Sequence, residues 1–207
     1  MKKMGNIIRN VKIGKNSKIA EFCQIGSETG NRTEIGDYAN IRSFTVIYPG
    51  NKIGEKLTTG HHTVIRANNL IGNEVTIGNF SIVEGRCKIG DNVKIHSMVF
   101  LGEDTFIGKG SWIGPRCVTL LTKHPRATYQ ELTNKGPRIG KNVVIGAGTI
   151  LMPGIKINDN SMIGAGSLVL KDVPKGVVVA GNPAKKIKNV SDLKCPATGN
   201  KYEKKQN

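Results

Sequence analysis

The four histidines are the side chains of this sequence best suited to chemistry near neutral pH, and they fall into two groups. An imidazole accepts or donates a proton in that range and also binds metal ions. His124 lies in the polar segment 120–138 (LLTKHPRATYQELTNKGPR), whereas His61, His62 and His96 lie among regularly spaced aliphatic residues. His124 is therefore a candidate general base on a loop. The other three are candidates for lining a groove on a regular scaffold, although a stacked polar corner is an equally simple interpretation of His61 and a simpler one of His62.

A six-residue repeat supplies that scaffold. From Ile35 to Thr119 every sixth residue is an anchor, and thirteen of these fifteen anchors are Ile, Leu or Val. A six-residue unit is too short for a helix and fits one short strand and a turn. Because self-similarity at a fixed period indicates a repeat architecture, the sequence predicts an all-β solenoid. If three units form one coil, residues 18 apart stack, and Asn51 then lies on Asn69 as part of an asparagine ladder.

Interruptions of the repeat predict loops and the limits of the solenoid. Four residues are inserted around 27–30, and the register shifts again in segment 120–138, by an apparent two residues. A long loop on a stiff scaffold is a usual place for function. The repeat ends at 171–174, where Pro174 cannot donate to a strand ladder. We therefore expect a β-helix domain over residues 1–175 and a C-terminal cap with a basic tail over 176–207, in which residues 191–207 cover the last coil loosely or are disordered.

Charge and apolar content limit the partners. The chain has 31 Lys and Arg against 15 Asp and Glu, a formal charge of +16. This excess favours phosphorylated small molecules, nucleic acid or anionic membrane. Aromatic residues are only 5% of the chain, and grooves for single-stranded nucleic acid use interleaved aromatic rings. We expect no nucleic-acid partner. The start of the chain lacks the apolar run of a signal peptide, and no segment approaches the ~20 apolar residues of a membrane span.

The spacing of the cysteines predicts that they are small residues packed in the core. Cys23, Cys87 and Cys117 each follow an anchor by four residues, where the repeat uses small side chains, and no C-x-x-C pair occurs. Small buried thiols suit that position, so we expect neither a disulfide framework nor a metal site. A reduced, cytoplasmic protein is the simplest interpretation.

Residues 7–190 resemble the hexapeptide-repeat acyltransferases, and the C-terminal half resembles their sugar acetyltransferase branch. The segments similar to maltose and galactoside acetyltransferases are 107–115, the His124-Pro125 pair, 139–146, 163–167, 171–174 and 180–184. Segments 59–61, 64–66 and 113–115 are similar to acetyltransferases that act on nucleotide-linked amino sugars. The resemblance implies a left-handed parallel β-helix, a homotrimer and acetyl-CoA as co-substrate.

The resemblance also implies roles for particular residues. His124 corresponds to the catalytic base of the family, while His61, Arg66 and His96 would line the acceptor groove between subunits. Gly146, Ala147, Ala165 and Lys171 fall where the family holds coenzyme A. Small residues there let the pantetheine arm approach the backbone, and the lysine attracts phosphate.

The sequence leaves three functions open. The first is acetyl transfer to a sugar, especially a nucleotide-linked amino sugar used for surface polysaccharide. The second is O-acetylation of a simple sugar or glycan. The third is a zinc protein resembling the γ-class carbonic anhydrases, which share the fold and bind zinc through three histidines. That family has two histidines five residues apart, whereas His61 and His62 are adjacent and His96 lies 34 residues further on.

Overall fold

The computed structural model describes residues 5–128 and 135–202 of the 207-residue chain. Within that part the predicted fold is confirmed: the chain winds as a left-handed parallel β-helix of about nine coils. Each regular coil passes once through three sheets, which we call A, B and C in chain order. No helix in the described ranges is long and apolar enough to cross a membrane.

The strands are short and nearly all parallel. Sheet A contains Ile7–Arg9, Gln24–Gly26, Val46–Ile47, Val64–Ile65, Ile82–Val83, Phe100–Leu101, Val118–Thr119, Ile150–Leu151 and Leu168–Val169. Sheet B contains Val11–Ile13, Thr33–Ile35, Lys52–Ile53, Leu70–Ile71, Lys88–Ile89, Phe106–Ile107, Arg138–Ile139 and Lys156–Ile157. Sheet C contains Lys18–Ile19, Asn40–Ile41, Thr58–Thr59, Thr76–Ile77, Lys94–Ile95, Trp112–Ile113, Val144–Ile145, Met162–Ile163, Val177–Ala180 and Lys185–Asn189.

The register follows the 18-residue stacking predicted from the repeat. Ile65 pairs with Val83 in sheet A, for example. Each anchor lies inside the prism and the residue before it lies outside, because successive side chains of a strand point to opposite faces. Where a loop is inserted, the pairs are further apart in sequence: Gln24 pairs with Val46, and Val118 with Ile150.

The size of the second insertion corrects the sequence interpretation. Ile107 pairs directly with Ile139, 32 residues away instead of 18. The apparent shift of two residues was therefore wrong, because fourteen extra residues lie within a single turn. They leave the core register unchanged, since the strands on both sides of the loop still pair with the coils above and below.

Polar residues inside the prism pair with one another. The anchor Thr59 has its Oγ1 3.1 Å from Thr45 Oγ1 and accepts the backbone N–H of Arg42 at 3.0 Å. In the same way, Thr119 Oγ1 lies 2.9 Å from Thr105 Oγ1. Because buried hydroxyls need partners, each departure from an aliphatic anchor is matched by a second threonine.

The predicted asparagine ladder is confirmed. Asn51 Oδ1 accepts the N–H of Asn69 at 2.9 Å, and Asn69 Oδ1 accepts the N–H of Cys87 at 2.7 Å. Cys23, Cys87 and Cys117 are buried free thiols, as predicted. Burial raises the pKa of Cys87 to about 12 and also raises the pKa values of the other two.

The C-terminal segment extends the solenoid beyond residue 175. Val177–Ala180 pairs in parallel with Met162–Ile163, and Lys185–Asn189 then returns antiparallel along it. A short 3₁₀ helix, Val190–Asp192, follows. A strand pair thus covers sheet C at the last coil. Residues 1–4, 129–134 and 203–207, which include parts of the predicted loop and tail, lie outside the described residues.

Candidate active site at two corners of the prism

Every predicted site residue lies on one of the two corners that border sheet A. The histidine corner joins sheet C to sheet A and comprises the turns 20–23, 42–45, 60–63, 78–81, 96–99, 114–117, 146–149 and 164–167. The loop corner joins sheet A to sheet B and comprises the turns 27–32, 48–51, 66–69, 84–87, 102–105, 120–137, 152–155 and 170–172. The third corner, between sheets B and C, carries none of the predicted residues.

His124 lies on the inserted loop of the loop corner. The base of this loop is held to the solenoid, because Leu120 N–H donates to Leu151 O at 3.0 Å and Lys135 N–H donates to Leu121 O at 3.1 Å. The His124 side chain is exposed, and its carbonyl accepts the N–H of Ala127 at 3.3 Å. The imidazole is therefore exposed on a loop whose two ends are held by backbone hydrogen bonds.

His61 and His96 share the histidine corner two coils apart, as the 36-residue separation of their anchors predicts. The backbone N–H of His61 donates to Asn79 Oδ1 at 2.7 Å. The His96 ring lies 4.6 Å from the Trp112 ring, with an angle of 57° between their planes. Both imidazoles are exposed, so both are accessible to a ligand or a second copy of the chain.

Arg66 is separated from these histidines, although the sequence interpretation placed it near them. It lies on the loop corner, across the width of sheet A, with its guanidinium 5.2 Å from the centre of the Tyr48 ring and 3.8 Å from Glu84. Lys171 also lies on the loop corner and is exposed. Within one chain, the acceptor-side residues are therefore divided between the two corners.

Gly146, Ala147 and Ala165 form a narrow column on the histidine corner. A Cβ atom on Gly146 would lie 2.4 Å from the backbone nitrogen of Ala165. Only glycine fits this spacing between coils, and the small side chains beside it leave the backbone accessible. Such a column allows an extended ligand arm to lie close to the turns.

Sequence reasoning missed an aromatic stack on the same corner. Phe22, Phe44, His62 and Phe80 stack face to face, with ring centres 5.2, 4.7 and 5.0 Å apart. All four have positive φ, which non-glycine residues adopt infrequently. The signal was present as aromatic residues 18 positions apart, once the inserted loop at 27–30 is subtracted. His62 thus belongs to the stack.

Sequence reasoning also missed the outward face of sheet A. Its outward side chains are apolar on seven successive coils: Val46, Val64, Ile82, Phe100, Val118, Ile150 and Leu168. The equivalent positions of sheet B are mixed, since Leu70 and Phe106 alternate there with Lys52, Lys88, Arg138 and Lys156. Seven coils span about 29 Å at ordinary strand spacing. We call this surface the apolar face; the two corners form its edges.

The described ranges contain no group of three His, Cys, Asp or Glu side chains placed to hold a metal ion. His62 lies between Phe44 and Phe80, and the rings of His61 and His96 stand on turns two coils apart. Within one chain, therefore, these three imidazoles do not converge on a single point.

Comparison with known proteins agrees with the repeat geometry. The model of the bacterial transferase hexapeptide family, with six repeats, matches residues 70–103 and 136–171. Protein CapG of Staphylococcus aureus is 49% identical over 84 residues, which cover 40% of this chain and 49% of that protein. Galactoside O-acetyltransferase of Lactococcus lactis is 39% identical over 108 residues, or 48% of this chain and 51% of that enzyme. The chain spans about half the length of these relatives.

Solved structures share the solenoid. UDP-N-acetylglucosamine acyltransferase from Campylobacter jejuni superposes with a TM-score of 0.61 at 18% identity, over 89% of this chain and 73% of that one. At this identity the likeness establishes the fold. In its repeat sequence, its coil geometry and the match over residues 70–103 and 136–171, the chain resembles the bacterial transferase hexapeptide family.

Proposed function

We propose that the protein is an acetyl-CoA-dependent acetyltransferase acting on a sugar, with active sites between neighbouring subunits of a homotrimer. The observation that carries the proposal is the position of the predicted site residues on the two edges of one apolar face. If three copies pack with this face toward a threefold axis, the histidine corner of each copy meets the loop corner of the next. A site divided within one chain then becomes continuous between two chains.

The heights of the residues along the solenoid fit this arrangement. In a cyclic trimer with its axis along the prism, equal coils of neighbouring copies lie at equal height. His124 extends from the coil of Thr119, between the coil of His96 and the coil of Gly146. Each is one coil away, or about 5 Å. His124 of one copy would therefore stand between the acceptor side and the coenzyme side of its neighbour.

Acetyl transfer follows from that position. The acceptor oxygen or nitrogen attacks the thioester carbonyl carbon while His124 takes its proton. Backbone N–H groups of the turns are available to stabilise the developing oxyanion. The C–S bond then breaks, the acetyl group stays on the acceptor, and the proton passes from His124 to the departing sulfur. The small column at Gly146, Ala147 and Ala165 would hold the pantetheine arm, and Lys171 would attract a phosphate.

The acceptor we propose is a nucleotide-linked amino sugar, as the resemblance implies, because a strongly basic protein attracts a phosphorylated acceptor. The hydroxyl of a simple sugar or glycan is the second candidate, and the galactoside O-acetyltransferase similarity over 108 residues favours it. The buried thiols are free, as in proteins from a reducing compartment such as the cytoplasm.

The first prediction tests His124 directly. Acetyl-CoA is incubated with a panel of nucleotide-linked amino sugars, amino sugars and glycosides, and free thiol release is measured. For the best acceptor, His124→Ala should lower kcat by about 10²–10⁴-fold, since it removes the proton acceptor. Lys123→Ala, its exposed neighbour on the same loop, serves as the control and should keep activity within a factor of about two.

Two results would contradict the proposal. One is thiol release by His124→Ala at the rate of the unaltered protein. The other is an absence of release with every acceptor, together with bound zinc in the purified protein, which would favour the carbonic anhydrase alternative.

A further inference from the structure

Exposed lysines and aliphatic side chains are combined at the C-terminal end of the solenoid. We call this end the terminal surface: Leu170, Lys175, Lys185, Lys186, Ile187 and Lys188. These residues belong to the last coil or to the strand that covers it, and all six are exposed. From this combination we propose that the terminal surface docks the protein on anionic lipid bilayers.

The charge is concentrated toward this end of the chain. Residues 105–207 contain 17 Lys and Arg against 5 Asp and Glu, whereas residues 1–104 contain 14 against 10. The ion pairs Arg9–Glu28, Lys56–Glu74, Arg66–Glu84, Arg86–Glu103 and Arg86–Asp104 all lie in the first half. In the described part of the chain, the lysines of the terminal surface form no ion pair.

The two carboxylates nearest to the terminal surface, those of Asp172 and Asp192, each accept a hydrogen bond from a backbone N–H. Asp172 Oδ1 accepts the backbone N–H of Lys156 at 2.7 Å. Asp192 Oδ2 accepts the N–H of Asn189 at 3.1 Å. Lys175, Lys185, Lys186 and Lys188 outnumber these two carboxylates, so a net positive charge remains available to an external anion.

The strand Lys185–Asn189 also presents an apolar side chain. Its pairing with Val177–Ala180 shifts register between Val178 and Val179, and Ile187 lies opposite this irregularity. Ile187 is 56% exposed and Leu170 is 46% exposed. Bulges redirect side chains, and exposed aliphatic side chains beside lysines can enter the headgroup region of a bilayer while the lysines meet anionic lipid.

Edge protection and nucleic-acid binding each account for only part of the pattern. Lysines on an edge strand prevent pairing with other chains, but that role does not need an exposed Ile187. A single-stranded nucleic acid would also attract the lysines, but such sites stack bases on aromatic rings. Between residues 170 and 202 the only aromatic residue is Tyr202. An anionic bilayer uses both the charges and the aliphatic side chains.

The test measures co-sedimentation of the full chain with vesicles of phosphatidylcholine alone or mixed with phosphatidylglycerol. We expect binding to the mixed vesicles only, weakening as salt rises. The double substitution Lys186→Ala/Lys188→Ala should reduce the partition coefficient about 25-fold, given about fivefold for each lysine near an anionic surface. Ile187→Ser should weaken the binding that persists at high salt.

The matched control is Lys12→Ala/Lys52→Ala, which removes the same charge from sheet B near the other end. It should retain vesicle binding within about twofold. Equal losses in the two double variants, or no binding to mixed vesicles at low salt, would overturn the proposal. The proposal would also be overturned if a stoichiometric single-stranded oligonucleotide bound the chain more tightly than the vesicles do and abolished vesicle binding. Acetyl transfer is measured separately in each variant, so that failure of docking and failure of the proposed activity remain distinguishable.

Discussion

Thr59 and Thr119 show how a residue that breaks a sequence pattern can have a structural role. The repeat identifies them as departures from aliphatic anchors, and Thr59 stands two residues before His61. In the structure their hydroxyls instead pair inside the prism with Thr45 and Thr105. The sequence could not reveal this pairing, because partners 14 residues apart meet only once the coil is closed.

A prediction at this scale follows from the Thr59 hydrogen bonds. Thr59→Val keeps the shape of the side chain but leaves the part-buried N–H of Arg42 and the buried hydroxyl of Thr45 without this partner. The free energy of unfolding should fall by about 1–3 kcal/mol, measured by denaturant titration. Thr58→Val makes the same change on the outward side of the same strand and should alter stability by less than about 0.5 kcal/mol. Equal effects would show that the hydroxyl pair contributes nothing.

At the scale of elements, the turns determine how closely the coils approach. A Cβ atom on Gly78 would lie 2.5 Å from the carbonyl carbon of His96 and from the nitrogen of Ser97. Backbone atoms cannot move aside as a flexible side chain can. Gly78 is therefore required by the neighbouring coil, and it helps to set the position of His96.

This contact leads to a prediction. Gly78→Ala should destabilise the protein by about 3 kcal/mol, the upper end of the usual cost of overpacking. Gly148→Ala on the same corner meets nothing within 4 Å, although φ is +68° there, and should cost about 1 kcal/mol. Thermal unfolding measured by circular dichroism distinguishes the two. A smaller loss for Gly78→Ala than for Gly148→Ala would contradict the role of this close approach.

For the whole molecule, the apolar face explains why residues on opposite corners could serve one site. Its seven outward side chains run past both the histidine corner and the inserted loop. A surface of this length is unusual on a monomer and is typical of a protein–protein interface. The aromatic stack Phe22, Phe44, His62 and Phe80 borders it and would extend the same contact.

The trimer can be tested on this face. Ile82→Arg places a charge in the middle of the apolar face and should convert the proposed trimer to monomers, because an unpaired buried charge is costly at an interface. Light scattering coupled to size exclusion gives the mass, and acetyl transfer should be lost with the trimer. Leu70→Arg, on the outward side of sheet B, is the matched control and should leave both unchanged. A monomeric unaltered protein, or a trimeric Ile82→Arg variant, would contradict the proposed assembly.

The sequence by itself determined the repeat, the all-β class, the buried thiols and the asparagine ladder, because a six-residue period places chemically similar side chains inside or outside every coil. It also identified the loop that carries His124. Only the tertiary structure decided that Arg66 and His61 lie on different corners and that fourteen residues lie within one turn. It also revealed the apolar face between those corners. Periodicity reports which residues are equivalent from coil to coil, but the closing of three sheets into a prism decides which corners share a face.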